Sequence, residues 1–430
     1  MPRALVIGSG VAGPAAAMFL ANDGWEVEIF EAAANPDDYA GAFLNVATNG
    51  LTVLDALGLR EQLLSDAHPA PHMIMWSSTG KQLGTVPNGP AGDPARGSAV
   101  VRRGWLHRVL REGAQDRGIP IRFGARLTGI TAEPDAVHAT FADGRRASAD
   151  ILIGCDGIGS PTRTHIDVNA PNPRYSGLVG LGGFARVAGL APTPATQHFV
   201  FGRRSFFGYL VRTAASVGNR APTRGGGASG GVLSSASDDD GGGLTARCAS
   251  SSQEDGTVYW FANITAPEPS RGSLRDVSAN EWLDRLRVLH HDDPYPVPQI
   301  IDGHQGDLGA YPIYDLSGVP RWSRGRVVAV GDAVHATSPS AGQGASLALE
   351  DAQALAMCLR DEVDHQAALP ATRPCDSLGP TRSSPMRGRS TARNGSARVR
   401  LPWPSVMRCS RCSSNALPTT DPTTGYTTTA

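Results

Sequence analysis

The sequence predicts an α/β protein of two domains, one built on a covered parallel sheet and the other on a separate sheet. Three observations carry this. Short runs apolar on both faces, Ala4 to Ile7 near the N-terminus and Val327 to Val330 far downstream, read as strands with helices above and below. The first run passes through a glycine-rich turn directly into a helical pattern. Between the two, from residue 174 to 265, strand-like segments crowd together. At 430 residues the chain also exceeds what a single core organises, about 250 to 300 residues.

Residues 1 to 60 read as strand, tight turn, helix, strand, loop and helix, in ALVIGSGVAGPAAAMFLANDGWEVEIFEAA and then NGLTVLDALGLREQL. HMIMWSSTGKQLGTVP, residues 72 to 87, reads as two short strands around a Thr79-Gly80 turn. GWLHRVLREGAQDRG has apolar residues at 105, 106, 109 and 110 and predicts a helix. IPIRFG, ARLTGITAE, AVHATFADG and ADILIGCDG follow as short strands broken by Pro-Asp and Asp-Gly, the signature of a meander. LVGLGGFARVAG, QHFVFGRRSFFGYLVR and TVYWFANIT predict the second sheet. The last apolar strand, VVAV, leads through GDAVHATSPSAGQG into a helix over ASLALEDAQALAMCL. Residues 216 to 256, and those beyond about 365, show no period and are rich in small and polar residues, so composition predicts disorder, a linker and a tail. Lys81 is the only lysine among 39 basic residues, a usage that points to a GC-rich coding sequence. An alternative for both segments is that such a gene is translated there out of its ancestral frame.

Composition narrows the function classes. The formal charge of −1, without a basic stripe, gives no electrostatic case for nucleic acid. No run of about 18 apolar residues is present, so no membrane span is expected. The N-terminus enters a strand at once, which reads as a cytoplasmic protein without a secretory signal. Cys155, Cys248, Cys358, Cys375, Cys409 and Cys412 form no framework and are expected to be reduced. Only Cys409-Ser410-Arg411-Cys412 has metal or redox spacing, and it lacks a second ligand pair, so no metal is expected.

Gly8-Ser9-Gly10-Val11-Ala12-Gly13 sits between the first strand and the first helix. Its first glycine permits the tight turn, the second lets a pyrophosphate approach the backbone, and the third allows close helix–strand packing. Glu31 ends the second strand 18 residues after Gly13, where a carboxylate accepts the hydroxyls of an adenosine ribose. Dinucleotide binding is the reading, with NAD and FAD undistinguished at this point. Arg103, or Arg102 beside it, precedes a helix and suits phosphate or ribityl oxygens. Asp156-Gly157 stands at the carboxyl end of a buried strand, where ligand crevices open in parallel sheets.

Taken in order, the glycine turn with Glu31, Arg103 in RRGWLHRVL, Asp156-Gly157 in ADILIGCDGIGSPTR and Gly331-Asp332 in the late junction resemble one family. It is the flavin-dependent aromatic hydroxylases and related single-component FAD monooxygenases, with a para-hydroxybenzoate-hydroxylase-like fold. The resemblance runs over residues 1 to 360. It implies a Rossmann-like FAD-binding domain, pieces 1–71, 96–170 and 319–360, interrupted by a β-sheet-based substrate domain, pieces 72–95 and 171–318, with a low-complexity tail over 361–430. Asp156 is then associated with flavin and a transient nicotinamide, and Ser160 and Arg163 match the same pattern. Asp332 is expected at a ribityl hydroxyl, and Pro339 fixes the loop after it. Gly342-Gln343-Gly344 leads into a helix whose N–H groups near Gly344 and Ala345 face the flavin pyrimidine ring.

The implied activity is monooxygenation. NADH or NADPH reduces FAD, O₂ adds to give a C4a-hydroperoxide, and oxygen passes to an aromatic or polyketide-like small molecule. Rivals are a flavin oxidase, epoxidase or reductase on the same fold, a plain NAD dehydrogenase, and a chain that binds FAD without turning over. His335, a lone loop histidine without a carboxylate at a defined spacing, reads as structural. Glu350 and Asp351 point about 100° apart on a helix and read as packing or capping groups rather than an acid/base pair. His290-His291 before Asp292-Asp293 reads as a solvated loop.

Overall fold

The computed structural model describes residues 1–36, 43–90, 92–212, 257–270, 272–339 and 342–362, with the backbone of two short strands at 373–374 and 407–408. The 216–256 segment, the Cys409 and Cys412 pair and nearly all of the expected tail lie outside the described residues. The chain opens with β1 (Arg3–Ile7), α1 (Ala12–Asn22), β2 (Glu26–Phe30), β3 (Phe43–Val46), α2 (Thr48–Ala56), α3 (Arg60–Leu64) and β4 (Ala67–Pro69). Then come β5 (His72–Ser77), β6 (Gln82–Pro87), β7 (Ala99–Arg102), α4 (Arg103–Gln115) and β8 (Ile121–Arg122). The meander β9 (Leu127–Ala132), β10 (Val137–Phe141) and β11 (Arg146–Ala149) precedes β12 (Ile151–Gly154) and α5 (Pro161–Ile166). The middle holds β13 (Arg174–Arg186), β14 (Thr196–Phe201), β15 (Phe206–Val211), β16 (Thr257–Thr265), α6 (Ala279–His290), α7 (Val297–Asp302) and β17 (His304–Asp315). Last come β18 (Ser323–Arg324), β19 (Val327–Ala329), α8 (Asp332–His335) and α9 (Gly344–Asp361).

A six-stranded sheet runs β18-β19-β12-β1-β2-β8, parallel except for the β18–β19 pair. Its strands are apolar on both faces because α1, with α9 packed on it, covers one face and the β9–β11 meander covers the other, where Phe141 stacks on Phe30. Met18 and Leu20 of α1 and Leu349 and Leu355 of α9 are wholly buried, each contributing about 1.5–3 kcal/mol. The register sets Ile7, Gly154 and Ala329 abreast, so the three strands end at one line. Whatever follows each strand is thereby brought to the same crevice.

A seven-stranded sheet runs β17-β13-β16-β15-β14-β5-β6. It is antiparallel apart from β14 with β5. One face packs Phe207, Trp260 and Ala262 against Leu286 of α6 and Ile300 of α7. On the other face Leu210 and Tyr259 meet Ala70 and Val100. Two three-stranded sheets, β11-β10-β9 and β3-β7-β4, complete the architecture among the described residues with side chains.

The mixed α/β fold class is the one expected. Several elements go beyond the expectation: β3, β4, β7 and β11 are too short to show a period, and α6, α7 and β17 lie outside the segments expected to be regular. The solvated-loop expectation for His290-His291 is corrected. His290 ends α6 fully buried, its Nδ1 2.7 Å from Oδ2 of the buried Asp293, while His291 is exposed. Among the described residues no helix is long and apolar enough to cross a membrane.

Candidate active site

Three strand ends build the first wall. Gly8 takes φ +104°, and a Cβ there would stand 2.3 Å from the Cys155 carbonyl oxygen. A Cβ on Gly13 would stand 2.0 Å from the carbonyl oxygen of Gly8, so α1 lies directly on the turn. Gly10 differs: beyond its chain neighbours, a Cβ there would meet no described residue within 4 Å. Val11 is the N-cap and Ala12 opens α1, leaving the first N–H groups of the helix without a side-chain cap. Glu31, just after β2, accepts the N–H of Ser9 at 2.7 Å and of Ala33 at 2.8 Å. Its carboxylate thus braces the glycine turn and keeps lone pairs for a ligand.

Asp156 follows β12. Its Oδ2 accepts the N–H (3.0 Å) and hydroxyl (2.7 Å) of Thr162, while its Oδ1 is buried without a partner among the described residues. Thr162 reaches that position because Gly154 has no side chain; a Cβ there would lie 2.5 Å from it. Ser160 caps α5 by accepting the N–H of Arg163 at 2.8 Å. The buried Arg163 guanidinium donates to the carbonyls of Ile158 (2.9 Å) and Ala333 (2.8 Å), tying α5 to α8.

The late junction forms the second wall. Gly331, at φ +63°, turns the chain into Asp332, the first residue of α8. Burial pushes the Asp332 carboxyl above its ordinary pKa, and His335 and Arg103 pull it back. Arg103 opens α4 and is exposed, whereas Arg102 is ion-paired with Asp66 at 2.5 Å. Of the two arginines, Arg103 is the one whose charge reaches Asp332. The Pro339 carbonyl accepts the Gly342 N–H at 2.9 Å, Gly342 takes φ +61°, and Gln343 is the N-cap of α9. From Gly344, a Cβ would lie 3.5 Å from Thr337 Oγ1 and 3.9 Å from Asp332 Oδ1, so these groups share one hollow. Ala345 is the next residue of α9, whose first turn carries no acid to offset its positive end.

The expectation for His335 changes on two points. His335 lies in α8, not a loop, and has a carboxylate partner: its Nε2 meets Asp351 Oδ2. Asp351 also accepts the Gly331 N–H at 2.9 Å, a capping role, and Glu350 accepts from Asn49 at 2.9 Å.

The aromatic face of the seven-stranded sheet adds residues that the sequence motifs do not mark. Phe199, Gly208, Phe261 and Gly182 stand abreast across four strands. A Cβ on Gly208 would come within 2.2 Å of the Phe261 ring, and one on Gly180 within 2.7 Å of the Tyr311 ring. The glycines therefore let rings lie across neighbouring strands. Phe43 of β3 packs on Tyr259 (5.4 Å) and Phe261 (5.9 Å). Tyr311 stays 40% exposed, near enough to Arg103 for that charge to favour its phenolate against the burial that raises its pKa. Asn45 bridges this sheet and the late junction, accepting from Gln197 of β14 (3.1 Å) and donating to the Gly342 carbonyl (3.4 Å). In TVYWFANIT both faces are aromatic, so alternation gives no sign of which one faces a ligand.

The residues present fit an FAD. The glycine turn keeps backbone open at Gly10, and Asp156 Oδ1, Thr337 Oγ1 and Gln343 Oε1 are buried polar atoms lacking a partner among the described residues. Known proteins point the same way. A family model described as an FAD binding domain matches residues 2–369. Aurachin C monooxygenase/isomerase of Stigmatella aurantiaca is 27% identical over 368 residues, covering 85% of this chain and 82% of the relative. 6-Hydroxynicotinate 3-monooxygenase of Bordetella bronchiseptica is 26% identical over 392 residues, covering 85% of each. In fold, the chain is similar to Klebsiella pneumoniae HpxO complexed with FAD and uric acid, with a TM-score of 0.68, 24% identity and coverage of 86% and 82%. With the match spanning most of its length, the chain belongs to the FAD binding domain family and is an FAD-dependent enzyme of the monooxygenase kind.

Proposed function

We propose that the protein hydroxylates a small aromatic or polyketide-like molecule with O₂, using NADH or NADPH to reduce its FAD. The observation that carries this reading is the convergence of three strand-end motifs opposite an aromatic sheet face. Gly8, Gly10, Val11, Ala12 and Gly13 would receive the pyrophosphate, and Glu31 the adenosine ribose. Arg103, Asp156, Gly331 and Asp332 would hold the ribityl and phosphate region. Pro339, Gly342, Gln343, Gly344 and Ala345 would present N–H groups and the positive end of α9 to the flavin ring. Bound FAD supplies hydride acceptance and O₂ activation. In the net reaction a C–H bond of the substrate becomes C–OH, NAD(P)H is oxidised, and the second oxygen atom leaves as water. The protein's share is to hold the ring against Phe199, Phe261 and Tyr311 and to keep water from it. We further propose the domain division expected above, with pieces 1–71, 96–170 and 319–360 around the FAD.

The test is to purify the chain, record its absorbance at about 450 nm, where oxidised flavin absorbs, and add NADPH or NADH with and without phenolic substrates. The expected result is a yellow protein whose bleaching is accelerated by a substrate and whose aerobic product carries one added oxygen. Stoichiometric peroxide with a dehydrogenated product would instead assign an oxidase. A yellow protein with no accelerated turnover would overturn the catalytic reading, and a colourless one the flavin site.

A further inference from the structure

Asp351 is wholly buried on α9, yet one of its oxygens serves two donors from the junction across from it. Oδ2 accepts the Gly331 N–H at 2.9 Å and meets Nε2 of His335. A buried carboxylate is costly unless an opposite charge and hydrogen bonds compensate it. His335, the histidine of the junction, provides both. Other groups hold His335 in place: Trp322 packs on its ring at 5.3 Å, and Arg163 of α5 holds the Ala333 carbonyl at 2.8 Å. The charged groups that face the imidazole are Asp351 from α9 and Asp332 from its own helix. Cys155, after β12, faces Asp351 as a neutral thiol, since burial pushes its pKa well up. Burial pulls the His335 pKa down, but Asp351, with the hydrogen bond between them and a smaller effect of Asp332, holds it above the ordinary value. His335 Nδ1 is buried and has no partner among the described residues.

We propose that His335 and Asp351 form a buried positioning pair which, as imidazolium and carboxylate, holds the Gly331–Asp332 turn in its flavin-binding shape and balances the charge of Asp332. The proposal rests on the flavin reading. The pair acts through the turn: Gly331 is fixed by its N–H, and Asp332 projects from the next position. Deprotonating His335 removes the cation between the two carboxylates and leaves Asp332 with Arg103 as its remaining positive neighbour, so the repulsion from Asp351 weakens the hold on the turn.

The experiment compares wild type with Asp351→Asn and His335→Gln, the latter retaining an N–H donor but no charge. Amide exchange at Gly331 in the flavin-free protein reads the clasp, and FAD affinity from about pH 6 to about pH 9 reads the charge. The expected results are exchange at Gly331 at least about tenfold faster in Asp351→Asn, and FAD affinity about tenfold weaker in His335→Gln at the acid end. Wild-type affinity should fall as pH rises through the histidine's titration, while His335→Gln stays flat. Unchanged Gly331 exchange, or identical pH profiles, would overturn the pair. If wild type binds no FAD the flavin reading fails, and Gly331 exchange still decides whether the clasp exists.

Discussion

Gly8 and Gly10 share one turn but tolerate a methyl group very differently. Gly8 carries a left-handed φ and a carbonyl 2.3 Å from where a Cβ would sit, so Gly8→Ala is expected to cost more than about 3 kcal/mol. Gly10 has no described residue within 4 Å of where its Cβ would go, apart from its chain neighbours. Gly10→Ala should therefore fold as wild type, within about 0.5 kcal/mol, but bind FAD at least about tenfold more weakly, because the added methyl occupies the pyrophosphate's approach. Urea unfolding and fluorescence titration with FAD check both, and a Gly10→Ala variant that binds normally refutes the pyrophosphate assignment. Asp332 shows the converse balance. An acid whose folded pKa is raised binds its proton more tightly when folded, so stability falls as pH rises from the unfolded to the folded value. At neutral pH the ionised Asp332 thus destabilises the flavin-free fold. Asp332→Asn is expected to raise the melting temperature of the flavin-free protein while lowering FAD affinity. A variant less stable than wild type and equally avid for FAD would contradict the assignment.

In the second sheet, the glycines matter as much as the rings. Replacing Gly208 by Val drives a side chain into the Phe261 ring and is expected to cost about 1–3 kcal/mol. Flavin content should persist, while substrate-stimulated NADPH oxidation falls and the peroxide fraction rises; paired assays of NADPH and peroxide measure it. Unchanged coupling would remove Phe261 from the substrate wall. The β1–turn–α1 unit is legible in the sequence because strand, glycine spacing and helix follow one another within the first 22 residues. The β12 and β19 ends are legible for a similar reason, each being an apolar run closed by Asp or Gly-Asp. The small β3-β7-β4 sheet is not, since strands of three or four residues complete no alternation. Helix α6 does carry a signal: Ser278 as N-cap, then Trp282, Leu283 and Leu286 on one face. The loop expectation there rests on the four charged and histidine residues at its end, which mask it. The Asp351–His335 and Asn45–Gln197 contacts join residues 16 and 152 positions apart, and no local period encodes such pairs.

Two cores form around the two large sheets, and a small cluster of Ala70, Val100, Leu210 and Tyr259 joins them. That junction is polar at its rim. Asp66 accepts from Arg102 with one oxygen (2.5 Å) and from the buried Arg212 with the other (2.9 Å), and Arg212 also donates to the Tyr259 hydroxyl (3.1 Å). His68, on β4, is 2% exposed with both ring nitrogens lacking a partner among the described residues. Burial, with the Arg212 charge adding to it, pushes its pKa down from 6.5 to about 4. A histidine with a depressed folded pKa is neutral in the fold and protonates more readily when unfolded. Stability is therefore lost as pH falls from 6.5 to about 4, by at most about 3 kcal/mol from this one group. The loss is expected to appear at the junction, because protonating His68 places a second cation beside Arg212. His68→Leu removes both the titration and the unpartnered nitrogens, so its unfolding free energy should fall less between these two pH values than that of wild type. Equal slopes in urea titrations across that interval would show that acid sensitivity resides elsewhere, with His198 of β14, also held down to about 4 by burial, as the next group to replace.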